Sequence, residues 1–137
     1  MIRFDKYVDE LIGALKSYDC FGDTSIIRAY PYKIKDTKLS KVVIAVSFGS
    51  VDARSNQIDY DTLAGDICVC FNIFVPLNMD YRAFSDILNK ICDALKFKGI
   101  VGIAVDKIKI NSKVQAYELD ATVTFRDEIF FGGMDDE

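Results

Sequence analysis

Asp59, Tyr60 and Asp61 form the one stretch of this chain whose residue types and spacing suggest chemistry outright, an Asp-x-Asp pair with Asp52 and Asp66 nearby. Two such carboxylates can hold a magnesium ion through water. The pattern is short enough to arise by chance, and 137 residues are too few for the nucleotide-sugar domain that usually surrounds it. Histidine is absent. That removes the commonest general base, excludes Ser-His and Cys-His nucleophile pairs, and excludes a Cys/His zinc site within one subunit. Cys20, Cys68, Cys70 and Cys92 show no Cys-x-x-Cys spacing. Cys68 and Cys70 lie two apart on one strand face, poorly placed to bridge each other, and all four read as reduced, small apolar packers. Tyr30, Tyr32, Tyr60, Tyr81 and Tyr117 could donate protons, but no acidic or basic partner is fixed by spacing. There is no Walker A motif and no Gly-x-Gly-x-x-Gly fingerprint. Gly99-Ile100-Val101-Gly102 joins a helix end to a strand, the reverse of the order a phosphate loop needs. The sequence therefore predicts no catalytic residue, no metal ligand and no cofactor.

The elements that would position these residues belong to one ordinary domain over residues 1–137. Half of the residues are hydrophobic and 28% are charged, the balance of a globular chain. A net charge of −4 favours solubility and predicts neither nucleic-acid recognition nor attraction to anionic lipid. Tyr30, Tyr32, Lys33 and Lys35 make a faint aromatic-basic mixture, read here as a solvated strand face. The N-terminal residues carry acids where a signal peptide needs an apolar core. The longest uncharged run, Ile67 to Met79, is too short to span a membrane and contains Asn72 and Pro76. The expectation is a cytoplasmic protein or part of a soluble assembly.

The central element is Ala64 to Gly99. Ile67, Val69, Phe71, Ile73 and Val75 point one way along a strand, Cys68, Cys70 and Phe74 the other. A strand apolar on both faces belongs in the middle of a sheet or under a second layer. Val75-Pro76 ends it. Asp80 is the expected N-cap of a helix to about Phe97, with Met79 stapled onto Phe84. Its stripe is Phe84, Ile87, Leu88, Ile91 and Leu95; Lys96 and Lys98 suit its negative end, and Gly99 its stop.

A first helix is expected from about Arg3 to Tyr18, with Phe4, Tyr7, Val8, Leu11, Ile12 and Leu15 in one stripe and Gly13 as a weak point. A strand from Ser25 to Lys35 contains Pro31 and several lysines, as an edge strand does. Lys41 to Gly49 reads as an interior strand. Ser50 to Thr62 reads as a long polar loop or an extended hairpin tip, a place where function often sits. Ile100 to Ile110 is a strand broken near Asp106-Lys107. In the last strand, Val114 to Phe125, Tyr117, Leu119, Ala121, Val123 and Phe125 face in, while Glu118, Asp120, Thr122, Thr124 and Arg126 face out. The fold class is α+β: a mostly antiparallel four- to five-stranded sheet with two helices packed on one face, in the order α-β-β-β-α-β-β.

The whole pattern resembles the small tail-terminator, or tail-completion, proteins of long-tailed phages, prophages and phage-tail-like bacteriocins. The residues that carry the resemblance are Ile58 to Gly65 in the long loop and the strand ending Phe71-Asn72-Ile73-Phe74-Val75-Pro76. That strand runs through Leu77-Asn78-Met79-Asp80 into a helix. The resemblance implies a ring of identical subunits, typically sixfold, that caps the tail tube, ends its polymerisation and meets the head–tail connector protein. It places the protein in a virion tail or phage-tail-like particle, made in the bacterial cytoplasm. A ring needs two different patches per subunit. The candidates are the loop, with Arg54, Gln57, Asp59, Tyr60 and Asp61, and the outward strand face of Glu118, Asp120, Thr122, Thr124 and Arg126. Arg54 could pair with Asp59 or Asp61 of a neighbour. Competing expectations are another minor tail or head–tail connector protein, a metal-dependent enzyme using Asp59 and Asp61, and a small-molecule-binding module with Cys68, Cys70 and Tyr117 lining a pocket.

Overall fold

The computed structural model describes the backbone of residues 2–3, 6–29, 38–59 and 62–130, and the side chains of 6–19, 21–29, 38–52 and 65–127. In chain order the elements are β1 (Ile2–Arg3), α1 (Tyr7–Lys16), β2 (Ser25–Arg28), β3 (Val43–Asp59), β4 (Thr62–Pro76), α2 (Ala83–Leu95), β5 (Ile100–Val105), β6 (Lys109–Asn111) and β7 (Ala116–Phe130). They form one seven-stranded sheet in which β7, β4, β3 and β2 lie side by side, with β1, β5 and β6 along the other side of β7. Among the described strands, only β1–β7 and β2–β3 are parallel. The α+β class and the α-β-β-β-α-β-β order are those the sequence predicts. The expected strand Ile100 to Ile110 is broken at Asp106-Lys107 into β5 and β6, and β1 is an additional short pairing.

β4 lies in the middle. Ile67, Val69, Phe71, Ile73 and Val75 are fully buried on the face that α1 and α2 cover, each contributing roughly 1.5–3 kcal/mol. Tyr7, Val8, Leu11, Ile12 and Leu15 of α1, and Phe84, Ile87, Ile91 and Leu95 of α2, meet them in one core with Leu119, Ala121, Val123 and Phe125. Among the described residues, the opposite face is closed only at one end, where Val43, Phe74, Val114 and Ala116 form a small second core with Ile27 and Leu39. The Leu39 N–H donates to the Val114 carbonyl at 3.0 Å and ties that cover down.

Several boundaries differ from expectation. α1 begins at Tyr7 rather than Arg3, because Ile2 and Arg3 pair with Ile129 and Phe130 instead. α2 begins at Ala83: Asp80 accepts from the Arg82 N–H at 2.9 Å and from its guanidinium, stabilising the turn before the helix rather than capping the helix itself. Met79 is 41% exposed, not folded onto the core. Gly99 stops the helical segment with φ +78°, as expected. β2 ends at Arg28 on the sheet's margin, and Pro31, Lys33 and Lys35 lie outside the described residues. No helix among the described residues is long and apolar enough to cross a membrane.

One polar cluster crosses the core's margin. Lys98, just beyond α2, places its ammonium 2.6 Å from Glu10 of α1 and 3.0 Å from Asp127 of β7. It also lies 4.8 Å from the centre of the Tyr7 ring. The fully buried Tyr7 donates its hydroxyl to Asp127 at 3.1 Å. Burial, and then the Asp127 carboxylate, push the Tyr7 phenol far above its ordinary 10.0. For Lys98, burial favours the neutral amine, but hydrogen bonds to Glu10 and Asp127 outweigh it and hold the ammonium above its ordinary 10.5.

Both groups bind their protons more tightly folded than unfolded. Their contribution is therefore complete below the unfolded values and is lost as pH rises through the folded ones. Urea unfolding across pH should show stability that starts to fall as pH passes about 10. Tyr7→Phe should cost about 1 kcal/mol at neutral pH and flatten part of that alkaline slope. Gly13 is exposed, and a methyl group there meets nothing within 4 Å. Gly13→Ala should raise the unfolding free energy by roughly 0.5–1 kcal/mol in the same assay.

Candidate subunit interface

Because side chains alternate along a strand, the residues of β4 and β7 that avoid the helices share the other face. The pairing sets Asp66 opposite Arg126, Cys68 opposite Thr124, Cys70 opposite Thr122 and Asn72 opposite Asp120. The result is a cross-strand row of small and polar side chains, all partly or largely exposed. Arg126 donates from Nε to Asp66 at 3.1 Å. Thr124 and Thr122 lie 3.5 and 3.9 Å from the Cys68 and Cys70 sulfurs. Asn72 donates to Glu118 at 3.0 Å and also to Asp120, and Asn111 donates to the second Glu118 oxygen at 3.1 Å. Lys109 stands 3.7 Å from Asp120.

Each of Glu118, Asp120, Thr122, Thr124 and Arg126 thus faces outward, as the alternation predicts. Sequence reasoning missed their partners: Asp66 and Asn72 sit at the same alternate positions of β4 as Cys68 and Cys70, and that period was the available signal. The same register overturns the expected pocket. Cys68 and Cys70 face outward, whereas Tyr117 lies with Leu119 on the helix side, 5.8 Å from the Tyr81 ring. Side chains on opposite faces of one sheet cannot line a common pocket.

Of the two expectations for the long polar segment, a loop or an extended hairpin tip, the structure has the hairpin. β3 and β4 stay paired out to Asp59 opposite Thr62, with irregularities between Phe48 and Ser50 and between Ala53 and Ile58. Arg54, Gln57 and Asp59 are on the β3 backbone of this arm; Tyr60 and Asp61 lie outside the described residues. Arm and outer face meet in a single row, Asp52 opposite Asp66 opposite Arg126. Two like charges face each other there, and Arg126 offsets them.

Gly49 sits at the first irregularity. A Cβ on it would lie 2.9 Å from the Cys68 carbonyl oxygen and 3.4 Å from the Cys70 sulfur. Backbone that close cannot move aside cheaply, so Gly49→Ala should cost about 1–3 kcal/mol in chemical unfolding, whereas removing either thiol by Cys→Ser should cost less.

No protein family and no curated protein matches this chain. Among solved structures, the chain is similar to the sheath/tube terminator of an extracellular contractile injection system, PVC, in its extended state. The TM-score is 0.41 at 14% identity, over 94% of this chain and 56% of that one, so this chain spans little more than half the length of its structural neighbour.

Proposed function

We propose that this protein, as one α+β domain over residues 1–137, is a structural component of a phage tail or phage-tail-like particle. Its role is to form a homo-oligomeric ring, hexameric in the simplest case, that caps the tail tube and ends its polymerisation. The ring would present one surface to the tail tube protein and another to the head–tail connector protein. The role is mechanical, with no catalytic residue, cofactor or metal assigned and no membrane or nucleic-acid sequence recognition.

The observation that carries this reading is the outer face of β4 and β7. Its side chains are mutually hydrogen-bonded from Asp66–Arg126 to Asn72–Asp120, and no described helix covers them. Such a face is already ordered before a partner arrives, so little side-chain entropy is lost on docking. The sequence resemblance supports the same reading. The Pro76 junction is built as a tight turn, with the Met79 N–H donating to the Pro76 carbonyl at 2.9 Å, and it delivers the chain from the central strand into α2.

Light scattering behind size exclusion should give a species near six times 15.4 kDa, alone or on addition of tail tube protein. The purified protein should also shorten tubes grown in its presence. Arg54→Glu should weaken assembly if the arm contacts a neighbour, and an unchanged assembly would remove Arg54 from the interface. Tubes of unaltered length would overturn the capping role.

A further inference from the structure

Among the described residues, β5 and β6 pair with β7 and no strand lies beyond them. The Asp106 N–H donates to the Asp120 carbonyl at 2.9 Å, and Ile103 and Val105 sit opposite Val123 and Ala121. Antiparallel alternation therefore turns the main-chain N–H and C=O groups of Ile103 and Val105 away from β7. Their side chains share the helix side of the sheet with Val123 and Ala121. α2 leaves them uncovered: Ile103 and Val105 are 44% and 48% exposed. The strip continues into β6, where Ile110, opposite Tyr117, is 66% exposed. Tyr117 in turn meets the exposed Tyr81 ring. Ile100 to Val105 contains no charge and no proline, so the devices that keep a sheet edge from pairing are absent. This strip is distinct from the polar row of β4 and β7, which lies on the other face of the sheet.

The ends of the strip are basic. Lys96 precedes β5, Lys107 lies between β5 and β6, and Lys113 follows β6. All three are exposed, and none has an acidic partner among the described residues. Lys98 and Lys109, by contrast, are taken up by Glu10, Asp127 and Asp120. The one acid between Lys96 and Lys113 is Asp106, which accepts from the Lys107 N–H at 2.9 Å. Unpaired positive charge at both ends of an apolar edge, on a chain of net charge −4, selects a partner with acids at its own ends. A second copy paired through the same edge fits poorly. A twofold axis at Ile103 would set Lys107 of each copy across from Gly99 of the other, whose N–H donates to the Lys96 carbonyl. Like charges would then meet at both ends.

We infer that the β5–β6 edge receives an extended segment of a different protein, apolar at alternate positions and acidic beyond its ends. Main-chain hydrogen bonds to Ile103 and Val105 add it to the sheet as a further strand. Its apolar side chains lie beside Ile103, Val105 and Ile110, and its acids meet Lys96, Lys107 and Lys113. The contact goes beyond the ring proposed above and does not depend on it.

The probe is a short synthetic peptide of alternating valine and threonine with glutamates at both ends, added to the full chain. Amide hydrogen exchange followed by NMR reads the edge directly. In the protein alone, the Ile103 and Val105 amides should exchange far faster than that of Ala104, which faces β7. The peptide should slow them at least about tenfold. Ile103 is exposed, so Ile103→Lys should keep the fold, checked by circular dichroism, and weaken peptide binding about tenfold or more. Lys107→Glu with Lys113→Glu should weaken it as well and switch preference to a lysine-ended peptide. Unchanged exchange at Ile103 and Val105 with the glutamate-ended peptide overturns the inference. So does equal binding of the lysine-ended peptide by the wild type, and so does undiminished binding of a peptide methylated at every main-chain nitrogen. Protection already present without peptide overturns it too, and assigns the edge to a second copy if it grows with protein concentration.

Discussion

Everything in this molecule is set out from the register of β4. Each residue from Thr62 to Pro76 has a partner on β7, and most have a second partner on β3. A shift of one position would carry Ile67, Val69, Phe71, Ile73 and Val75 to the polar side and bring Cys68, Cys70 and Asn72 under the helices. The register is therefore fixed by the core it fills. It also fixes which side chains of β7 face outward, and so determines the polar row and the position of Arg126 beside Asp66.

The cluster of Tyr7, Glu10, Lys98 and Asp127 shows how the helical layer is held to that sheet at its edge. Apolar contacts alone are non-directional and leave a helix free to slide. Lys98 joins the end of α2 to α1 and to β7 at once. A charge this sheltered is retained only where its partners come close, and removing one partner would strand the others. The arrangement adds positional specificity to a core whose stability comes chiefly from buried aliphatic and aromatic area.

Much of this was legible in the sequence because it depends on short periods. The alternation of Tyr117 to Arg126 and the three- and four-residue spacing of Tyr7 to Leu15 and Phe84 to Leu95 each announce an element and the face it buries. What was not legible depends on meetings between distant residues. The Lys98 cluster joins residues from three separate parts of the chain, and no local pattern signals it. Ser50 to Asp59 reads as either a loop or a hairpin tip because polar side chains occupy it; pairing with β4 up to Ala53 and again at Ile58 and Asp59, which propensity does not record, makes it a hairpin. Asp80 has the composition of a helix cap, but its carboxylate is captured by Arg82 two residues on, and the helix starts later. Cys68, Cys70 and Tyr117 could be placed in one pocket only while the relative faces of β4 and β7 were unassigned.

The topology has a consequence for how the chain reaches this state. β7, the last strand in order, is the partner of β4, β5 and β6, and it is also the strand to which Ile2 and Arg3 return. On a ribosome, α1, the β3–β4 hairpin and α2 emerge first, but the β7 side of the central strand's hydrogen bonds and the partner of Ile2 and Arg3 await the emergence of β7. Folding that depends on contacts between such remote segments is slow. Its late completion also delays the edge of β5, which gains a fixed shape only when β7 arrives. A nascent chain is thus kept from presenting a finished, pairing-competent edge to its neighbours before it has a finished core.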